Sequence, residues 1–142
     1  MTAWLKLVGA TDNPMPDPWL LGRLDLHNEA HFTTRAGVEI GEELVLYAVP
    51  QRRVIGLAEV VSHPVHSGRD ERWPWRSKTK LKLAIADYDR APALDDLQSV
   101  GGRDLNKAVQ RRSHMKLDWA ELQAAKQALE KAFEASKGDL RA

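Results

Sequence analysis

The stretch from Gly41 to Arg76 constrains the fold most, because it holds two β-favouring runs that only a sheet accommodates. Leu44, Val45, Leu46, Tyr47 and Val49 form the first run, and Val54 to Val61 form the second. A short polar turn from Pro50 to Arg53 separates them, so the segment reads as a β-hairpin. Gly56 interrupts the second strand, where a missing Cβ marks a bulge or a close backbone approach of the kind found at the corner of a small barrel. Beyond the turn-rich segment His63 to Gly68, the stretch ends in Arg72-Trp73-Pro74-Trp75-Arg76, two indoles spaced by one proline and flanked by arginines.

A chain of 142 residues, 43% of them hydrophobic, supplies material for one compact core, and a single domain over 1–142 is expected. There are no cysteines, which excludes disulfides, thiolate metal sites and cysteine nucleophiles. The opening residues lack a basic segment followed by an apolar run, and no uncharged stretch is long enough to span a bilayer. A cytoplasmic protein with no membrane contact is therefore expected. The net charge of +1 says little as a total, because the cations are clustered.

In chain order, Ala3 to Val8 reads as a first strand with Trp4 and Lys6 on one face and Leu5 and Leu7 on the other. Gly9 to Pro18 reads as a loop, Trp19 to Leu26 as a short helix or an apolar plug, and His27 to Thr34 as a polar segment anchored by Phe32. Ser77 to Asp89 alternates Thr79, Leu81, Leu83 and Ile85 against Lys78, Lys80 and Lys82, which predicts a half-buried strand with a lysine-lined outer face. A short helix over Pro92 to Leu97 is broken by Gly101-Gly102, and Asp104 to Arg112 has room for one or two helical turns. Asp118 with Glu121 three residues on predicts a capping box, opening a helix that runs to about Lys137 and leaves a frayed tail. Trp4 and Trp119 lie in regular elements and are assigned to core or docking positions.

The order of these features resembles the EVE domains of the PUA-like superfamily. The most specific part is Gly41-Glu42, the strand Leu44 to Tyr47, and Gly56-Leu57-Ala58-Glu59-Val60, with the basic strand, Arg111-Arg112-Ser113-His114 and the terminal helix following in the same order over about 41–133. Two family features are missing: the Lys-x-Glu-Pro opening, and the polar residues after the strand-ending Tyr, where Ala48 and Val49 stand. The resemblance implies an α+β fold, a small, mostly antiparallel PUA-like β-barrel with peripheral helices and a C-terminal helix. It also implies a role in binding nucleic acid by holding a modified base in a pocket.

A base lifted from its stack loses a few kcal/mol, which aromatic faces and edge hydrogen bonds restore. On this reading the base pocket comprises Trp19, Asn28, His31, Tyr47, Trp73, Trp75 and Ser113, the last matching the family's motif. Arg72, Arg76, Lys78, Arg111 and Arg112 are the phosphate contacts. The competing assignment for each indole is core packing, and for the lysines it is edge protection and solubility. No phosphate loop, nucleophile elbow or metalloprotease helix is present, and Pro64 makes His63-x-x-His66 a turn rather than a helical metal face. No enzyme, cofactor or metal is expected. The alternatives are an enzyme acting on a nucleotide or RNA on the same barrel, with His31, Glu59 or His114 as acid or base, and a small-molecule sensor or interaction module.

Overall fold

The computed structural model describes residues 2–8, 29–32, 36–66, 73–101, 104–109 and 114–141. The strands are β1 (Ala3–Val8), β2 (Glu29–Phe32), β3 (Glu43–Ala48), β4 (Arg53–Val60), β5 (Val65–His66), β6 (Trp75–Ala84), β7 (His114–Leu117) and β8 (Leu140–Arg141). The helices are α1 (Leu94–Gly101), α2 (Leu105–Val109) and α3 (Trp119–Ala132). The strands form one curled, mostly antiparallel sheet in the order β2-β6-β4-β3-β1-β7, with β5 and β8 added to β6. The parallel pair in it is β1 with β3, and the chain between them includes β2.

The predicted hairpin is β3–β4, with Leu44 opposite Ala58 and Val45 opposite Leu57. Its register shifts between Leu46 and Tyr47, and that of β4 with β6 shifts between Leu57 and Ala58, so irregularities flank Gly56 in both neighbours. A Cβ on Gly56 would lie 2.8 Å from the Leu83 carbonyl oxygen and 3.4 Å from Leu46 Cδ1. Backbone cannot yield there without parting β4 from β6. Gly56→Ala should therefore destabilise by about 1–3 kcal/mol, read as a lower urea midpoint at unchanged slope. An unchanged midpoint would mean that the two strands are further apart than this register requires.

Pairing assigns the two faces of the sheet. Trp4 and Lys6 on β1 share a face with Lys116 and His114 on β7, and with Leu44 and Leu46 on β3. The same face continues through Ala58 and Val60 to Leu81, Thr79, Ser77 and Trp75, and then to Ala30 and Phe32. Most of these residues are buried and form the concave interior. Helix α3, which buries Leu122, Ala125 and Leu129, packs on β4 and α1. Its predicted capping box is present: Asp118 Oδ1 accepts from Glu121 N–H at 2.7 Å, and Glu121 Oε1 accepts from Asp118 N–H at 2.9 Å.

Several local expectations are corrected. The polar segment around Phe32 holds strand β2, and the run leading out of Arg111–His114 becomes β7, because each finds a partner distant in sequence, β6 and β1. Strand β6 starts at Trp75 and ends at Ala84. Helix α3 stops at Ala132 rather than near Lys137, because Phe133 turns to ψ 128° and Asp139 Oδ2 draws in the Glu134 N–H at 2.9 Å. A 3-10 turn, Ala135–Lys137, follows and closes on Gly138 at φ +88°, where a side chain would be strained. The tail is not frayed: β8 pairs with Leu83 and Ala84. Trp119 is 75% exposed, because as the first residue of α3 it points off the sheet, so it fills no core position.

Candidate functional site

At one end of the concave face, a lysine is enclosed by rings. Lys6 is 2% exposed, although it stands in the middle of a strand whose neighbours are apolar. Its Nζ lies 4.8 Å from the Trp73 ring centroid and 5.2 Å from that of Phe32, and it donates a hydrogen bond to the Leu7 carbonyl. His114, the cross-strand partner of Lys6, meets the Phe32 ring edge-on at 5.1 Å and the Trp4 indole at 5.4 Å. Trp4 is anchored by its Nε1–H to Glu42 Oε1 at 3.1 Å, and Lys116 Nζ stands 5.6 Å over its ring. Glu42 also accepts from the Thr2 and Glu39 backbone N–H groups, so the wall behind Trp4 is tied to the turn before β3.

Burial lowers the Lys6 pKa from 10.5 to about 7. Among the described residues no carboxylate pairs with it. Near neutrality the group is thus shared between ammonium and free amine, able to donate to a base edge in either form. Phe32 and Trp4 are buried, whereas Trp73 and His114 are half-buried, so these two are the rings of the cluster that a planar ligand can reach.

The remaining predicted residues divide between the two sides of the pleat. Trp75 lies opposite Phe32 on the inner side and takes His66 edge-on at 5.2 Å. Trp73 and Trp75 are both half-buried. His31 and Arg76, paired across β2 and β6, occupy the other side, and both reach Glu29 Oε2, at 3.3 and 3.4 Å. Burial, then Arg76, hold the His31 pKa below its ordinary value. Lys78 is exposed on that same outer side. Tyr47 is buried, and its phenol accepts from Arg52 close to Asp95 rather than facing Lys6. Trp19, Asn28, Arg72, Arg111, Arg112 and Ser113 lie outside the described residues.

Reasoning from sequence named Trp73 but missed Lys6 and treated Phe32 only as an anchor. The available signal was Lys6 itself, a lone charge in phase with Trp4 in a strand with apolar residues on both faces. Glu59, considered as a possible acid, lies across from Lys80 and away from the rings. Among the described residues no helix is long and apolar enough to cross a membrane, and no group of three His, Asp or Glu side chains is placed to hold a metal.

The curled sheet with its C-terminal helix is a small α+β PUA-like fold. No protein-family model matches the sequence, and no curated protein does. Among solved structures, human THYN1 in complex with 5-methylcytosine-containing DNA is similar at 12% identity and TM-score 0.60, over 94% of this chain and 99% of that one. The Mmi1 YTH domain is similar at 10% identity and TM-score 0.62, over 92% and 76%. A Rhodopseudomonas palustris protein solved by NMR is similar at 9% identity and TM-score 0.64, over 95% and 97%. At such identities the likeness is one of fold.

Proposed function

We propose that this chain is an EVE-type binding module that holds a modified nucleobase of DNA or RNA against the rings around Trp73, without catalysing a reaction. The observation that carries the reading is the cluster itself: Trp73, Phe32, Trp4 and His114 gathered about one buried nitrogen donor on the concave face. Such a group combines flat faces for stacking with a donor for an edge. The THYN1 complex supports the reading, since a protein of the same fold carries methylcytosine DNA. Trp75 and the sequence-assigned Trp19, Asn28 and Ser113 are further candidates for the pocket wall, whereas His31, on the other side of the pleat with Arg76, is not. Lys78 and Arg76, with Arg72, Arg111 and Arg112, are the proposed phosphate contacts, and Arg76 must share its guanidinium with Glu29.

The test is a fluorescence-anisotropy screen of oligonucleotides carrying different base modifications, at about 50 and 200 mM salt. A folded Trp73→Ala variant should bind the preferred oligonucleotide ten- to a hundred-fold more weakly at both salts, from about 1–3 kcal/mol of lost stacking. Lys78→Ala should instead flatten the salt dependence. If no modified oligonucleotide is preferred to its unmodified control, or if Trp73→Ala binds like the wild type, the reading fails.

A further inference from the structure

We infer that Lys6 is the specificity-determining group of this site and selects a nucleobase bearing a carboxylate substituent over its neutral, methylated equivalent. The inference rests on the nucleobase-binding reading above and names the chemistry of the base. An ammonium carries three N–H donors, and the Leu7 carbonyl takes one. Among the described residues its other neighbours include the ring faces of Phe32 and Trp73 and, across the strand pair, His114.

Among the described residues, the charged and titratable groups around it supply no carboxylate paired with Lys6. His114 faces it from β7 and Lys116 stands over Trp4 on the same strand. His31 on β2 feels its charge, with Arg76 of β6 behind it. Of the described acids nearby, Glu29 is already shared between His31 and Arg76, and Glu42 is taken up by the Trp4 Nε1–H and the Thr2 and Glu39 backbone N–H groups. Leu46, the β3 neighbour of Lys6, is apolar.

Buried lysines are normally paired, because an uncompensated ion in a low-dielectric interior is costly. Folding has already stripped the water from Lys6. A carboxylate arriving here meets a dehydrated, pre-positioned partner, so most of the usual desolvation penalty falls on the ligand alone. A methyl group in the same place gains only apolar contact. Trp73 is half-buried and its centroid is 4.8 Å from Nζ, so a base stacking on its open part brings a ring substituent within reach of the ammonium. The lowered basicity of Lys6, which comes from burial, adds a signature: the selectivity must weaken as the amine loses its proton.

The experiment titrates the full chain into labelled single-stranded oligonucleotides, in DNA and RNA versions, that differ only in carrying cytosine, 5-methylcytosine or 5-carboxylcytosine at one position. At about pH 6.5 the carboxylated base should be preferred to the methylated one by about ten-fold or more, and the preference should shrink several-fold by about pH 8.5. Lys6→Met should abolish the preference of the protein for the carboxylated over the methylated base. Wild-type binding of 5-methylcytosine as tight as that of 5-carboxylcytosine, or a preference that survives Lys6→Met, would overturn the inference. Should Lys6→Met not fold, Lys6→Gln and the wild-type pH profile decide, and a preference flat across that range overturns it. Binding of 5-methylcytosine without carboxylate preference defeats this inference alone, whereas failure of every modified oligonucleotide to bind defeats the nucleobase reading with it.

Discussion

An Asp139→Ala variant will lose about 2–4 kcal/mol of stability near neutral pH, measured as a lower urea midpoint. The Asp139 side chain is fully enclosed at 0% exposure and accepts four hydrogen bonds. Two come from Arg90, at 2.6 and 2.9 Å, and two from the backbone N–H groups of Ala86 and Glu134, at 2.8 and 2.9 Å. Arg90 also donates to the Ala132 carbonyl at 3.2 Å, so one ion pair joins the segment after β6, the exit of α3 and the start of β8. Removing the carboxylate orphans two backbone donors and leaves a guanidinium whose remaining exposure, 21%, softens the loss.

The pH dependence of that pair follows from its sign. Burial raises the Asp139 pKa, but the Arg90 hydrogen bonds and the two backbone donors outweigh it and hold the carboxyl below its usual range. A group whose folded pKa is depressed contributes fully above its unfolded value and loses that contribution as pH falls through the folded one. The gap between wild type and variant should therefore narrow once the pH drops below about 4. A gap that stays constant to about pH 2 would show that the carboxylate is not what holds the tail.

Lys6→Met will act in the opposite direction and stabilise the protein by about 2–4 kcal/mol at and below neutral pH. Methionine has a similar length and no charge to desolvate. The folded pKa of Lys6 is about 7 against 10.5 in the unfolded chain, so between those values the unfolded state binds more protons. Wild-type stability accordingly carries the whole penalty below pH 7, recovers through the window from about 7 to 10.5, and is free of it above. The difference between Lys6→Met and wild type should thus be largest near pH 6 and shrink toward about pH 10. Thermal midpoints of the two proteins across that range test it, and a pH-independent difference would place Lys6 in contact with water. A chain that keeps a destabilising residue where methionine would fit gives up stability for what that residue does, in keeping with the selectivity inferred above.

Local pattern determined much of this architecture. The alternation of Ser77–Ile85, the paired runs around Pro50–Arg53, the missing side chain at Gly56 and the Asp118–Glu121 cap each act within a few residues, so periodicity and cap chemistry were enough to place β6, β3–β4 and the start of α3. The same reading reached Trp73, because two indoles among arginines stand out in any context.

What the sequence alone could not decide were the features that depend on distant partners. Strands β2, β7 and β8 are only two to four residues long, too short for a local pattern to show, and they form because β6 and β1 offer unpaired edges. The end of α3 depends on Asp139, which lies beyond Gly138. Lys6 is the sharpest case: its neighbours Phe32, Trp73 and His114 come from three segments far along the chain, and only their convergence turns a strand lysine into a dehydrated one. Desolvation belongs to an enclosure rather than to a residue, so the basicity of Lys6 was set by the tertiary structure and not by anything adjacent to it in sequence.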